Sequence, residues 1–255
     1  MKITDAAVFP YPCGDTSVRR LALEAKALGY DSLVAIDTPA NSFEGTAVLS
    51  GIIVKDAPMR DVIARVKRAK ETGTVVSVGA RDNGFNRAVI GLKGVHILRG
   101  IHAADKTAFD HVTAKMAADN NVAVDLDLSV LIAARGVSRQ RAIHRYRDVL
   151  TFEHRFEFPV TLSSHARSYL DLRAVREVTG LCSLIGMDIP DVEKALDAVG
   201  RVTTPPAPSV RVRELTRDDI QVEGRFWTDS RRSDYLLTSS AIMVVICQFW
   251  VSRRV

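Results

Sequence analysis

The sequence has few of the residues that build disulfide, redox or zinc centres. Its three cysteines, Cys13, Cys182 and Cys247, lie far apart and form no C-x-x-C or Cys/His spacing, which indicates a reduced protein without a zinc motif. None of the six histidines has a second one four residues away, and no H-E-x-x-H occurs. Aromatic residues make up only 6% of the 255 positions, which argues against binding of RNA mainly by base stacking.

Signatures of nucleotide-binding sheets and of export are also missing. No predicted strand is followed by G-x-G-x-x-G and no Walker A sequence occurs, so no motif supports an open nucleotide-binding sheet. The opening MKITDAAVFPYP contains no apolar run of signal-peptide length, which predicts a cytoplasmic protein. Lys and Arg exceed Asp and Glu by 35 to 30, and this excess favours a polyanionic partner if it is concentrated on one face.

Short β-branched runs alternate with helical patterns at intervals of roughly 25 to 30 residues. Seven or eight short apolar strands, most of them followed by a helix, are typical of an α/β TIM-like barrel, which we predict as a single domain over residues 1–203. The segment TPPAPS, residues 204–209, predicts a Pro-rich linker to a C-terminal appendage, residues 210–255, whose structure the sequence leaves open. The predicted strands span residues 6–9, 32–36, 47–54, 75–78, 95–98, 122–126 and 160–163.

The appendage contains an uncharged run over residues 235–251. Arginines flank it on both sides, and its length is at the lower limit for a membrane helix. Three interpretations stay open for this run: a helix or strand packed on the barrel or a partner, a non-native sequence from a shifted reading frame, or a membrane anchor. Polar residues within the run weaken the last of these, so a membrane partner is not expected.

The first strand bears on metal binding. It reads Asp5-Ala6-Ala7-Val8-Phe9, where barrels of the polymerase-and-histidinol-phosphatase type carry a D-x-H-x-H metal motif. Neither an alanine methyl nor a phenyl ring can coordinate a metal. Ala7 and Phe9 therefore predict a metal-free, apolar plug at this strand end.

Two other strand ends carry residues that could do chemistry. Asp125 and Asp127 stand two apart on one strand, so their carboxylates share a side and could bind a hard cation such as magnesium. The stronger interpretation is that they cap a helix or pair with a nearby cation. The run Ser163-Ser164-His165 offers a nucleophile and a base, but neighbours on an extended chain point to opposite faces and no G-x-S-x-G surrounds them, which argues against a serine hydrolase.

Arginine is concentrated in two parts of the chain. Residues 135–176 contain nine arginines, four acidic residues and no lysine, and Arg167 and Arg173 flank a loop after a predicted strand. The planar arginine fork binds phosphate in a bidentate manner, so this bias favours a phosphate-binding surface over a merely solvated face. The loop 81–87, RDNGFNR, is a second candidate for holding a phosphate or a partner chain.

Two long segments, together with the opening DAAVFPYP, resemble the archaeal ribonuclease P protein component 3 family, relatives of the eukaryotic thirty-kilodalton subunit. The segments are RDNGFNRAVIGLKGVHILRGIHAADKTAFDHVTAKMAADNNVAVDLDLS, residues 81–129, and FPVTLSSHARSYLDLRAVREVTGLCSLIGM, residues 158–187. The resemblance extends over roughly residues 1–206. It implies a metal-free TIM-like barrel, which agrees with Ala7 and Phe9.

The resemblance also implies a function. The chain would be a protein subunit of ribonuclease P that binds and stabilises the catalytic RNA, while the RNA performs the endonucleolytic cleavage that matures the 5′ ends of precursor tRNA. No catalytic residue, metal or other cofactor is expected in this chain, and Mg²⁺ is expected at the RNA. The expected partners are ribonuclease P RNA, protein component 2 and other protein subunits, and precursor tRNA indirectly, but not DNA.

The residues that the resemblance implies for contact with RNA or a partner protein are Arg81, Asn83, Asn86, Arg87, Arg99, His165, Arg167, Arg173 and Arg176. Which of them contact RNA stays open, as does the oligomeric state. Two alternatives remain beside this interpretation. One is a metal-dependent, phosphoesterase-like barrel hydrolase that uses Asp125, Asp127 and His165, and the other is a scaffold that binds only another protein.

Overall fold

The structure, a computed structural model, describes residues 1–204, 209–215 and 220–225. It divides into two compact units, Met1–Thr203 and Thr204–Val255. Residues 205–208 of the Pro-rich segment and the uncharged run 235–251 lie outside the described residues, so the interpretations given to both stay predictions. Within the described residues, no helix combines the length and the hydropathy needed to cross a membrane.

The first unit is an α/β barrel. Its sheet joins seven parallel strands in sequence order and adds one short antiparallel strand at the side. The strands are β1 (Thr4–Val8), β2 (Ser32–Ile36), β3 (Asn41–Phe43), β4 (Thr46–Val54), β5 (Val75–Gly79), β6 (Ile97–Arg99), β7 (Ala123–Asp127) and β8 (Val160–Ser163). The first strand meets the last through a parallel bridge between Val8 and Ala166, so the barrel is nearly closed. The predicted TIM-like fold is confirmed.

Eight α-helices surround the strands. Most follow the strand that precedes them in sequence, as in repeated βα units. They are α1 (Val18–Ala27), α2 (Met59–Glu71), α3 (Asn83–Ile90), α4 (His111–Asp119), α5 (Leu128–Ala133), α6 (Gly136–Phe156), α7 (Val175–Ser183) and α8 (Ile189–Thr203). The second unit contains a described antiparallel pair, β9 (Ser209–Leu215) and β10 (Ile220–Arg225).

All seven predicted strands are present, but two boundaries differ in ways that matter. The prediction ended the fifth run at residue 98, whereas β6 extends to Arg99 and therefore places this arginine within the sheet. The prediction also omitted β3, which pairs with β4 across a tight turn at Glu44 and Gly45. Both turn residues have positive φ, 50° and 90°, as a two-residue hairpin turn with the twist of the strands requires.

The lower half of the barrel interior is apolar. Val75, Ile97 and Ala123, at the amino ends of their strands, share one buried cluster with Val199 and Val202 of α8. This helix carries its apolar residues at three- and four-residue spacing, which gives it one buried face. The amino end of the barrel is thus closed by side chains, and the polar residues of the interior lie at the other end, where the strands terminate.

Candidate functional site

A buried arginine lies at the carboxyl end of the barrel, which we call the barrel mouth. Arg99 is the last residue of β6, and its Nη1 donates to Oδ2 of Asp125 on β7 at 2.8 Å. Its Nη2 donates to the Ala6 carbonyl on β1 at 2.5 Å. The side chains of Arg99 and Asp125 are 1% and 0% exposed. The resemblance implied contact with RNA or a partner for Arg99, but the structure places its side chain inside the barrel.

The partner carboxylate is fully hydrogen-bonded. The register pairs Asp125 with Thr161 of β8. Oδ1 of Asp125 accepts from the Thr161 hydroxyl at 2.9 Å, and Oδ2 accepts from the Ser163 hydroxyl at 2.6 Å. A buried ion pair persists only where such additional bonds offset the loss of water. Asp125 therefore serves the barrel through Arg99, as the cation-pairing interpretation predicted.

His165 is fixed between this ion pair and a second carboxylate. Its Nδ1 lies 2.9 Å from Oδ2 of Asp127, and its Nε2 lies 3.3 Å from Nη1 of Arg99. A guanidinium can only donate, so Nε2 must accept and the ring proton must sit on Nδ1. His165 is therefore neutral in this arrangement, and both of its nitrogens are engaged.

Asp127 caps the helix that follows it. Its Oδ1 accepts from the backbone N–H and the hydroxyl of Ser129, at 2.9 and 2.6 Å. Burial opposes ionisation of Asp127, but the hydrogen bonds from His165 and Ser129 outweigh it and hold its pKa below the usual value. The capping interpretation is confirmed. Behind it, the Tyr146 hydroxyl donates to the Asp127 carbonyl and lies 3.0 Å from Nδ1 of His102.

No nucleophile and base are brought together by Ser163, Ser164 and His165. The Ser163 hydroxyl donates to Asp125, and the Ser164 hydroxyl oxygen accepts from the Ala166 N–H at 3.1 Å. Within the described part of the chain, no group of three or more His, Cys, Asp or Glu side chains is arranged to hold a metal ion. The positive charge among these carboxylates is the Arg99 guanidinium.

Phe9 does not form the predicted apolar plug. Ala7 is fully buried in the apolar interior, but Phe9 is partly exposed because it lies beyond β1, where its N–H donates to the Ala166 carbonyl at 2.8 Å. Its ring meets His165 edge-on, with centroids 5.4 Å apart, and the Arg167 guanidinium carbon lies 5.3 Å from its centroid. Polar side chains already fill the mouth beneath it, so Phe9 lines the rim instead.

A cavity of about 430 Å³ opens at the barrel mouth. It brings together three of the predicted contact residues, His165, Arg167 and Arg173, which come from the loop after β8. Arg167 is exposed and Arg173 is half-buried. Sequence reasoning missed Lys55, the residue directly after β4, which also lines this cavity. The remaining lining residues are Phe9, Ser129, Ile132, Ala133, Ser164 and Asp171.

The second predicted cluster, residues 81–87, forms the start of α3. The Asn86 amide is fully buried: its oxygen accepts from the Arg81 N–H at 2.8 Å, and its nitrogen donates to the Ala108 carbonyl at 2.8 Å. Asn83 donates to the Thr107 carbonyl, and Arg87 pairs with Asp110 at 2.6 Å. These three side chains connect α3 to the segment before α4. Arg81 is exposed, with its guanidinium carbon 4.6 Å from the Phe85 ring centroid.

Comparison with known proteins adds to this geometry. The family model described as RNase P subunit p30 matches residues 2–204. The chain belongs to this family. A relative from Halorubrum lacusprofundi, named ribonuclease P protein component 3, is 35% identical, with 78% of this chain and 89% of the relative covered. A relative of the same name from Haloarcula marismortui is 31% identical, with 77% and 87% covered.

Among solved structures, a chain of "cryo-EM structure of archaeal Ribonuclease P with mature tRNA" aligns with a TM-score of 0.63. The alignment covers 78% of this chain and 89% of that one, at 17% sequence identity, and it therefore supports the fold alone. The p30 barrel described here thus carries Arg81 and Arg167 exposed at the carboxyl ends of its strands, while Arg176 is exposed on α7.

One acidic residue of this p30 barrel has an unusual environment. Oδ1 of Asp5 accepts from the N–H groups of Ala7 and Ser164, both at 3.1 Å, whereas its buried Oδ2 has no hydrogen-bond partner. Burial raises the pKa of Asp5 from its ordinary 3.8 to about 6, because the surroundings penalise the charged form more than these hydrogen bonds favour it.

We expect Asp5→Asn to gain stability relative to the wild type as the pH rises from about 4 to about 6. Because the folded-state pKa is raised, the unfolded chain releases its proton first, and the wild type alone loses stability through this window. The shift corresponds to a change of roughly 3 kcal/mol in the difference between the two free energies of unfolding. Urea denaturation of both proteins at several pH values measures it. A difference that stays constant across the window would contradict the burial of an ionisable Asp5.

Proposed function

We propose that this chain is a protein subunit of ribonuclease P, the ribonucleoprotein endonuclease that matures the 5′ ends of precursor tRNA, and that it binds and stabilises the catalytic RNA. The observation that carries the proposal is the division of charge at the barrel mouth. Arg99, Asp125, Asp127 and His165 engage one another inside, whereas arginines with free donors lie exposed at the same end. Relatives named ribonuclease P protein component 3 support it.

The cleavage itself we assign to the RNA subunit, with Mg²⁺ held there and no cofactor bound by this chain. The state of the candidate acid–base groups supports this assignment. A general base needs a free lone pair within reach of the substrate, and the Nε2 lone pair of His165 is directed at Arg99. The hydrolase alternative would need Asp125, Asp127 and His165 to leave these partners before they could bind metal.

The partners that we propose are the catalytic RNA, protein component 2 and other protein subunits, with precursor tRNA met indirectly. Phosphate is the group that exposed arginine forks bind best. Arg81 and Arg167 stand exposed at strand ends of the same barrel face, so we expect each to contact an RNA phosphate.

Affinity for an archaeal ribonuclease P RNA should fall steeply with salt. If six to ten phosphates are contacted, the association constant drops by roughly 10³- to 10⁵-fold between 50 and 200 mM salt, because counterions are released on binding. Filter binding or fluorescence anisotropy over this range gives the slope of log affinity against log salt. Arg81→Gln and Arg167→Gln should each reduce the magnitude of that slope by roughly 0.7 to 0.9.

The matched control is Arg201→Gln. Arg201 is exposed on α8, at the amino end of the barrel, where its carbonyl accepts from the Asn121 side chain just before β7. It should leave the slope unchanged. An affinity that does not respond to salt would instead favour the scaffold that binds only another protein.

A further inference from the structure

We propose that the cavity at the barrel mouth binds the terminal phosphate of an RNA chain together with part of its last nucleotide. The proposal rests on the function proposed above and gives one site a defined ligand. A cavity of about 430 Å³ lies within the range of roughly 300 to 1,000 Å³ that is usual for small-ligand sites. It is lined by Lys55, Arg167 and Arg173, and the acidic residue beside them is Asp171.

The acidic residue of the lining is already occupied. Oδ2 of Asp171 accepts from the backbone N–H groups of Arg167 and Ser168, at 3.1 and 2.9 Å. Its carboxylate therefore holds the loop that carries the two arginines. Three cations against one engaged carboxylate leave the cavity positive, which favours an anionic ligand.

The arginines are held in place without using all of their donors. Nη1 of Arg173 donates to the Leu170 and Leu172 carbonyls, both at 2.9 Å. Nη1 of Arg167 donates to the Cys13 carbonyl at 3.2 Å, and its guanidinium lies over Phe9. Side chains that are already ordered lose less entropy when they bind a ligand. The remaining donors of both forks are available to phosphate oxygens.

Lys55 reaches the cavity across a glycine. A Cβ built at Gly79, the last residue of β5, would lie 3.4 Å from Cγ of Lys55. The glycine thus leaves room for the lysine stem at the end of the neighbouring strand. An ammonium group with three rotatable donors suits the non-bridging oxygens of a phosphate.

The carboxylates beneath the cavity do not oppose an anion as they would if they were free. Arg99 neutralises Asp125, and Asp127 accepts from His165 and Ser129. His165 closes the floor with both nitrogens engaged, so the strand of RNA cannot continue through the barrel. A cavity with a closed floor accepts the end of a chain, where a phosphomonoester carries an extra charge.

The walls also offer apolar surface to a sugar or a base. Phe9 is partly exposed on one side, and Ile132 and Ala133 of α5 line another. Aromatic faces stack on bases without regard to their identity. We therefore expect recognition of the phosphate and little preference for the base.

The test uses the full chain and defined probes. Adenosine 5′-monophosphate, adenosine 3′-monophosphate and adenosine are titrated by calorimetry, and 12-nucleotide single-stranded RNAs with a 5′-phosphate, a 3′-phosphate or hydroxyls at both ends are compared by anisotropy. At least one type of phosphate end should bind about 10-fold or more tightly than the hydroxyl ends. The comparison of 5′ with 3′ shows which terminus the cavity accepts.

Variants locate the binding. Lys55→Gln and Arg167→Gln should each remove most of the advantage of the phosphate end, whereas Arg201→Gln should keep it. Equal binding of phosphate and hydroxyl ends would overturn the proposal, and so would an acidic hexapeptide that binds as tightly as the nucleotides. If assembly on the structured RNA keeps its salt slope while the ends make no difference, the cavity proposal fails and the subunit role stands. If the nucleotides bind but the RNA does not assemble, the subunit role fails alone.

Discussion

Arg99→Met is expected to lower the free energy of unfolding by about 3 to 5 kcal/mol, because it leaves Asp125 buried and without its cation. The methionine keeps most of the apolar volume of the arginine stem but cannot donate to Asp125 or to the Ala6 carbonyl. It also removes the donor that faces Nε2 of His165. Urea denaturation followed by circular dichroism measures the change.

Two further variants separate the ion pair from simple packing. Arg87→Met removes a pair of similar geometry, Arg87 with Asp110, whose side chains are 37% and 34% exposed, and should cost less than about 1 kcal/mol. Adding Asp125→Asn to Arg99→Met should recover part of the loss, since the unpaired charge is gone. If Arg99→Met costs no more than Arg87→Met, the interior network does not stabilise the barrel.

Gly14→Ala is the second variant for which a large loss is expected. A Cβ at residue 14 would lie 2.1 Å from the Phe9 carbonyl oxygen and 2.2 Å from the Arg167 carbonyl oxygen. Both are backbone atoms, so the loop after β1 must move away from the loop after β8. We expect a loss of about 3 kcal/mol, the upper end of the cost of overpacking, in the same denaturation experiment.

Gly180→Ala is the matched control for this substitution. Gly180 lies within α7, and a Cβ there would meet no atom within 4 Å. Alanine in a helix interior is favoured over glycine by up to about 1 kcal/mol, so this variant should be slightly more stable than the wild type. A Gly14→Ala protein with wild-type stability would mean that the two rim loops are not in close contact.

The alternation of β-branched runs with amphipathic helices was enough to predict the barrel. Each parallel strand is a short apolar run such as Ser32–Ile36, and each is bounded by turn residues, so local pattern and fold agree. The strand β3 was missed because three residues, two of them polar, carry no usable periodicity. Its presence follows from the Glu44-Gly45 turn, which the sequence does not mark with the more usual Asn-Gly.

The site was harder to predict because burial of a charge depends on distant partners. Arg99 and Asn86 have the residue types of a binding surface, yet Arg99 is paired with Asp125, 26 residues later, and Asn86 with Ala108, 22 residues later. No local pattern encodes such pairs. Lys55 was missed for the opposite reason, since a single lysine after a strand is ordinary until closure of the barrel places it beside Arg167 and Arg173.

The network around Arg99 also determines where the barrel is held shut. The seam between β1 and β8 has an isolated bridge at Val8 and Ala166, in contrast to the continuous ladder between β7 and β8. Arg99 spans this seam from the inside, with Asp125 on one side and the Ala6 carbonyl on the other. Charged groups of a kind that could act on a substrate thus act as a clasp across the gap in the main-chain ladder. The surface on which RNA would rest keeps its curvature only while that clasp is fastened.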